Sequence, residues 1–233
     1  MKRNNIDLEK RIIFEDNHLL VVNKQAGELV QADKTDDITL ADLCKDYIKK
    51  KYNKPGNVYL GIPHRLDRPV SGIVIYTKTS KALSRMSEVF RSRLIEKRYW
   101  AIVDKRPAEP RGSLEQSLQK NEKQNKSYVV SEDKSGAKHA VLHYKQLQSS
   151  DKYWLLEVVL ETGRHHQIRV QLSHMGSIIK GDLKYGAKRS NPDGSIHLHG
   201  RSAEFKHPVT KEELKLMAPC PKDSLWQFFE ESV

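Results

Sequence analysis

Residues 61–72 constrain this chain more than any other stretch. They read Gly-Ile-Pro-His-Arg-Leu-Asp-Arg-Pro-Val-Ser-Gly. Pro63 and Pro69 fix φ and remove two backbone donors, and a glycine stands at each end. Neither a continuous helix nor an internal strand tolerates that spacing, so the stretch is a loop. Directly after it comes Gly-Ile-Val-Ile-Tyr-Thr-Lys, residues 72–78, a β-rich run. Within the loop, Asp67 lies between Arg65 and Arg68. Loops carried by a rigid strand often hold functional groups. A positioned carboxylate among cations is a competent nucleophile. By spacing alone, a surface ion pair or a turn-stabilising aspartate is the commoner explanation.

The rest of the chain surrounds this loop with short strands and a few helices. Residues 11–14 and 18–23 read as two strands around a turn at Glu15-Asp16-Asn17. Thr39 is placed to cap a helix over residues 40–50, with Leu40, Leu43 and Tyr47 at helical spacing. Ser80 is placed to cap a second helix reaching about Arg93, whose stripe is Leu83, Met86, Val89 and Phe90. Residues 97–104 form a strand. The polar stretch 107–150 holds antiparallel strands near 128–130 and 140–147, and 154–161 is a firm strand. Residues 163–175 look helical, with Ile168, Leu172 and Met175 on one face and Gly176 at the C′ position. Residues 190–194 are a turn, 196–199 and 214–217 short strands, and 224–230 a closing helix. This order implies an α+β fold: a mixed, mainly antiparallel sheet core with flanking helices. A chain of 233 residues suffices for one sizeable core or two small ones.

Charge narrows the partners. Forty-one Lys and Arg against thirty Asp and Glu give +11, a surplus that favours a polyanion, with RNA or DNA first. No run approaches the roughly 20 apolar residues of a membrane span, and no membrane partner is expected. Cys44 and Cys220 are too far apart for a disulfide framework or a zinc spacing, and read as small packed residues. The polar first eight residues lack the apolar core of a signal peptide. A cytoplasmic location is the simplest expectation.

A second constellation is Glu161-Thr162-Gly163-Arg164-His165-His166-Gln167-Ile168-Arg169. A strand ends, a glycine turns the chain, and a helix opens with basic residues. Amide donors and cations there suit a phosphate or carboxylate, although a helix with solvated basic residues has the same sequence. The histidines at 165, 166, 174, 197, 199 and 207 show no His-Glu-x-x-His spacing. The His-x-His at 197 and 199 is the one pair a strand would align for chelation, and no metal site is expected. Residues 181–186 match neither a P-loop nor a dinucleotide fingerprint, so no nucleotide cofactor is implied.

His64-Arg65-Leu66-Asp67 followed by Ser71-Gly72 resembles the signature of the RluA family of pseudouridine synthases. The resemblance continues in order. It takes in Ile13-Phe14-Glu15-Asp16 with Leu20-Val21-Val22-Asn23-Lys24, then Lys97-Arg98-Tyr99-Trp100-Ala101. Thr162-Gly163-Arg164 with His166-Gln167-Ile168-Arg169 follows, and then Gly181-Asp182 with Tyr185-Gly186. Leu198-His199 and Phe205 with His207-Pro208-Val209-Thr210 close it.

The resemblance implies a pseudouridine synthase catalytic fold in one domain over residues 1–233, with no separate N-terminal RNA-binding domain. It implies Asp67 as the nucleophile, Tyr99 stacking on the target base, and Arg169 as the basic partner of the aspartate. Arg65 takes the place of the flipped base, and His64, Arg164 and Ile168 join it as substrate-binding positions. The substrate is RNA, with ribosomal RNA favoured over transfer RNA; no cofactor and no metal are implied, and the expected state is a monomer. Gln25, Val70 and Gln171 depart from the commoner proline, threonine and histidine. They bear on the subfamily and remove no group the chemistry needs. The competing readings are a non-catalytic RNA-binding or ribosome-assembly factor on the same scaffold, a metal-dependent hydrolase built on the histidines, and a nucleoside hydrolase or glycosylase.

Overall fold

The computed structural model describes residues 8–32 and 37–233; the polar opening of the chain lies, up to residue 7, outside them. The strands are β1 (Ile12–Glu15), β2 (Leu19–Lys24), β3 (Ser71–Thr77), β4 (Ile95–Val103), β5 (Arg111–Asn121), β6 (Lys126–Val130), β7 (Lys138–Ser149), β8 (Trp154–Leu160), β9 (Leu198–Lys206) and β10 (Glu213–Met217). The α-helices are α1 (Leu40–Lys51), α2 (Ser80–Arg91), α3 (Gln167–Met175) and α4 (Ser224–Glu231). The fold is therefore α+β, with mostly antiparallel strands and, among the described residues, four α-helices, as the sequence implies. The chain divides into two compact units, Met1–Glu96 with Ser202–Pro219, and Lys97–Arg201 with Cys220–Val233.

In the first unit the strand order is β1-β2-β3-β9-β10. Side chains alternate across a strand, and here both faces are covered. Leu19, Val21, Ile73 and Ile75 pack with Met86 of α2, and with Ala203, Phe205 and Leu216. Leu20, Val22, Val74 and Tyr76 pack with Leu40, Ala41, Cys44 and Ile48 of α1. That double covering explains why β2 and β3 read as unbroken apolar runs rather than alternating ones. Helix α1 begins as expected at Thr39, which forms a capping box with Asp42.

In the second unit the order is β4-β8-β7-β5-β6, each pair antiparallel. Trp100, Ile102 and Leu155 pack with Trp226 and Phe229 of α4. Leu118 and Ala140 pack with Val170 of α3 and with Tyr185.

Four expectations change. The N-cap of α2 is Thr79, whose hydroxyl accepts from the Ala82 amide 3.1 Å away. Strand β5 falls where the sequence shows only polar chain, because its side chains alternate between exposed and partly exposed positions. Of the short strand expected at 196–199 only residues 198 and 199 are strand, and they open a longer one, β9. Helix α3 begins at Gln167 rather than Gly163, because His166 adopts the left-handed region at φ 55°. Six residues of α3, Gln167 through Leu172, are buried, so its burial is not confined to the stripe that its periodicity suggests.

Candidate active site

In the first unit, Gly61 pairs with Thr77 through two backbone hydrogen bonds, 2.8 and 2.9 Å, at the far end of β3. A Cβ on Gly61 would run into the Thr77 hydroxyl, so only glycine fits. Residues 62–70 therefore run from the Gly61 bridge beside the Thr77 end of β3 to the start of that strand at Ser71. His64 turns inward: its Nε2 accepts the Ile75 amide at 2.9 Å, and its ring stacks on Phe90 with centroids 4.7 Å apart. Leu66 packs into the α1 side of the core. Arg65 and Arg68 are exposed, and Asp67 is half-buried.

The backbone around Asp67 is tied down from three directions. The Val70 amide donates to the Asp67 carbonyl at 3.1 Å, closing a turn. The Gly27 amide donates to the Arg68 carbonyl at 2.7 Å, and Arg68 Nε returns a bond to the Gly27 carbonyl at 3.1 Å. The Lys24 ammonium, 0% exposed, reaches the carbonyls of Asp67, Arg68 and Val70. Arg68 also pairs with Asp37 at 2.9 Å.

In the second unit, Tyr99 lies on β4 opposite Val158 of β8, buried, with the Lys97 ammonium 5.8 Å from its ring centroid. Arg164, Ile168 and Arg169 come together at the start of α3. Arg164 is exposed and its Nε donates to the His139 carbonyl at 2.8 Å. Ile168 is buried. Arg169 is held by Asp182 in a two-pronged pair, Nε to Oδ2 at 2.7 Å and Nη2 to Oδ1 at 2.8 Å. The two are 5% and 1% exposed, and the guanidinium lies 5.1 Å from the Tyr185 ring centroid. Forked pairing of this kind fixes the guanidinium plane as well as its charge.

The turn before α3 is built from side chains. Gln167 Oε1 accepts from the Thr162 hydroxyl at 2.8 Å and from the Arg164 amide at 3.0 Å; its Nε2 donates to the Val141 carbonyl at 3.0 Å. The Ser127 amide donates to the Tyr185 hydroxyl, which is then left to donate to His166 Nδ1 at 2.8 Å. Burial first, and the cations Arg169, His165, Lys184 and Lys120 after it, push the His166 pKa down to about 2. His166 is thus a neutral, structural imidazole, and it stacks on His165 with centroids 3.8 Å apart.

Each of the seven residues singled out in the sequence lies in one of these two sets: His64, Arg65 and Asp67 in the first unit, Tyr99, Arg164, Ile168 and Arg169 in the second. Two further residues have roles that the sequence does not announce. Asp182 is the acid that holds Arg169; in the sequence Gly181-Asp182 stands out only as part of the family resemblance. Lys24 lies under the Asp67 turn, and nothing in Asn23-Lys24-Gln25 marks it as buried. Two of the histidines named in the sequence are engaged in packing and hydrogen bonds: His197 contacts Asn191 at 3.0 Å and stacks on Trp226, and His207 accepts the Thr210 amide at 2.9 Å. Among the described residues no group of three or more His, Cys, Asp or Glu is arranged to hold a metal ion. Among them, too, no helix is long and apolar enough to cross a membrane.

The family model for RNA pseudouridylate synthase matches residues 18–174, a span that contains the Asp67 turn, Tyr99 and Arg169. Ribosomal large subunit pseudouridine synthase D of Zymomonas mobilis is 33% identical over 227 residues, covering 93% of this chain and 71% of that protein. The protein of the same name in Pseudomonas aeruginosa is 32% identical over 234 residues, covering 94% and 71%. The solved structure of human RNA Pseudouridylate Synthase Domain Containing 4 superposes with a TM-score of 0.79 at 25% identity, over 95% of this chain and 93% of that one. On the family match and these relatives together, the chain belongs to the RNA pseudouridylate synthase family.

Proposed function

We propose that this pseudouridine synthase isomerises uridine in large-subunit ribosomal RNA, with Asp67 as its nucleophile. The observation that carries the assignment is the Asp67 turn: a half-buried aspartate in a turn whose backbone carbonyls are bound by Lys24, Gly27 and Val70, in the His-Arg-Leu-Asp stretch that the family resemblance singles out. The choice of RNA is supported by the relatives in Zymomonas mobilis and Pseudomonas aeruginosa, which are named for the ribosomal large subunit.

The reaction breaks the N1–C1′ bond of uridine and joins C5 to C1′. The C5 hydrogen leaves and a proton ends on N1, so atoms and electrons balance within the substrate. A uridine in folded RNA is first unstacked, at a cost of a few kcal/mol. Arg65, exposed beside Asp67, fills the space the base leaves. Tyr99 stacks on the uracil, as aromatics do with unpaired bases. Arg169, with its plane set by Asp182, supplies the fixed cation of the second unit, and Arg164 and Ile168 complete the substrate contacts. His64, bonded to Ile75, orients the loop that presents Arg65 and Asp67. Asp67 attacks the sugar C1′ or the base C6, or assists glycosidic cleavage by removing a 2′ proton.

The test is Asp67→Asn, scored by pseudouridine mapping on ribosomal RNA from cells that lack the endogenous protein. Product is expected to disappear while RNA affinity stays within about twofold. A fully active Asp67→Asn enzyme would sink the nucleophile assignment, and modification confined to transfer RNA would sink the ribosomal one.

A further inference from the structure

We infer that Asn191 is a positioning residue of the reaction: its side chain braces Gly181, and with it the aspartate that orients Arg169. The inference rests on Arg169 as the fixed cation of the proposed site. Asn191 begins a turn closed by the Gly194 amide, which donates to the Asn191 carbonyl at 3.0 Å. The residue is buried, and a buried amide needs its polar atoms answered. Both ends are. Oδ1 accepts from the Lys180 ammonium at 2.7 Å. Nδ2 donates to the Ser195 carbonyl and to His197 Nδ1, each at 3.0 Å, with the Ser195 hydroxyl oxygen at 3.1 Å. Asparagine offers an acceptor and two donors at this length; aspartate offers acceptors only, and alanine neither.

This amide lies against the residue that precedes Asp182. Gly181 has φ 88°, and a Cβ on it would come within 2.8 Å of both Asn191 Nδ2 and the Ser195 carbonyl. The chain on either side of Gly181 is secured by backbone bonds. Before it, the Lys180 amide donates to the Ile102 carbonyl at 2.9 Å, and the Lys180 carbonyl accepts the His197 amide at 2.9 Å. After it, the Asp182 carbonyl accepts the Tyr185 and Ala187 amides, each at 3.0 Å. Glycine is the softest link in such a run, and the Asn191 amide is what packs against it. Asp182 passes the constraint on through its forked pair with Arg169, whose two bonds, 2.7 and 2.8 Å, set the guanidinium plane. A rotation at Gly181 would swing the Asp182 carboxylate and tilt that plane. Misplacement by about 1 Å is enough to lower a catalytic rate on the order of a hundredfold.

The experiment is steady-state kinetics of Asn191→Ala and Asp182→Asn, singly and combined, on the full chain, alongside thermal unfolding and RNA binding. Expected of Asn191→Ala is a kcat about tenfold or more below the parent's, with KM and Kd for RNA within about twofold, in a protein that still melts cooperatively. Expected of the double variant is a kcat within about twofold of Asp182→Asn alone, because Asn191 then has no fork left to position. Losses that multiply in the double variant would mean a general loosening of the fold and overturn the inference. A folded Asn191→Ala with kcat within about twofold of the parent overturns it too, and so does a loss that appears only in KM. If Asn191→Ala does not fold, Asn191→Asp takes its place: it keeps the size and the Lys180 contact, removes both Nδ2 donors, and is held to the same outcomes. If Asp182→Asn does not fold, Arg169→Lys serves as the background, since an ammonium keeps the charge and loses the fork. The same variants separate the two readings. Asp182→Asn impaired while Asn191→Ala is normal means that only the positioning role fails. Asp182→Asn as active as the parent means that the reading of Arg169 fails, and the inference falls with it.

Discussion

Glu15 shows how much one side chain can organise. It is the last residue of β1, and its carboxylate takes bonds from Tyr47 at 2.8 Å and Lys51 at 2.7 Å in α1, from Tyr52 just beyond at 2.8 Å, and from Lys78 after β3 at 2.9 Å. Burial raises its pKa, and the four donors more than reverse this, holding it down to about 2 against the ordinary 4.5. A carboxylate lowered by folding stabilises the protein above its unfolded pKa and loses that contribution as pH falls through its folded pKa. The expected loss thus runs from about pH 4.5 down to about 2. Glu15→Gln should cost about 1–3 kcal/mol at neutral pH and flatten the acid limb over that window. Urea unfolding of both proteins at several pH values measures it; parallel curves with a constant offset would refute the linkage. In the sequence Glu15 is legible only as part of a turn, because its partners come from two distant segments, residues 47–52 and Lys78. The loop that carries Asp67 is legible for the opposite reason, since its prolines and glycines are all local, while only the family resemblance singles out the aspartate within it. Lys24 and Asp182 are not, because whether a charged residue is buried is decided by packing that no short window contains.

At the level of elements, legibility follows how a segment is buried. Strands β2 and β3 are covered on both faces, and their apolar runs announce them. Strand β5 has no fully covered face, apart from Leu118 near its end, and its sequence looks like loop. The start of α3 is obscured for a different reason. Gly163, Arg164 and His165 are compatible with helix, but His166 at φ 55° cannot propagate one. Gln167, the first residue of the helix, braces the turn before it, gathering the Thr162 hydroxyl, the Arg164 amide and the Val141 carbonyl. Gln167→Ala should therefore loosen the turn that carries Arg164, at a cost of about 1–3 kcal/mol. Hydrogen exchange would find faster exchange in residues 162–169 and unchanged protection in β4 and β8. Equal loss of protection everywhere would mean that Gln167 serves the whole unit and not this turn.

For the whole molecule the informative quantity is charge, which says nothing about fold and much about association. The surplus of +11 is unevenly placed. Lys49, Lys50, Lys51 and Lys54 crowd the end of α1, all exposed, with Tyr52 exposed beside them. Glu15 answers Lys51, and the Lys54 ammonium lies 6.0 Å from the Tyr52 ring centroid. Three lysines in the last turn also suit the negative end of the helix dipole, which by itself would explain their presence. The two explanations separate by salt. If the cluster meets phosphates, Lys49→Gln with Lys50→Gln and Lys54→Gln should weaken RNA binding. The slope of log K against log salt should also become shallower by about 0.7–0.9 for each phosphate no longer neutralised. The catalytic rate at saturating RNA should stay put, because none of the three is in the Asp67 turn. If the lysines serve only the helix, unfolding stability falls by a few tenths of a kcal/mol per charge and the salt slope is unchanged. A titration of RNA binding between low and moderate salt, with denaturation of the same variant, therefore decides whether this face of the first unit touches the substrate.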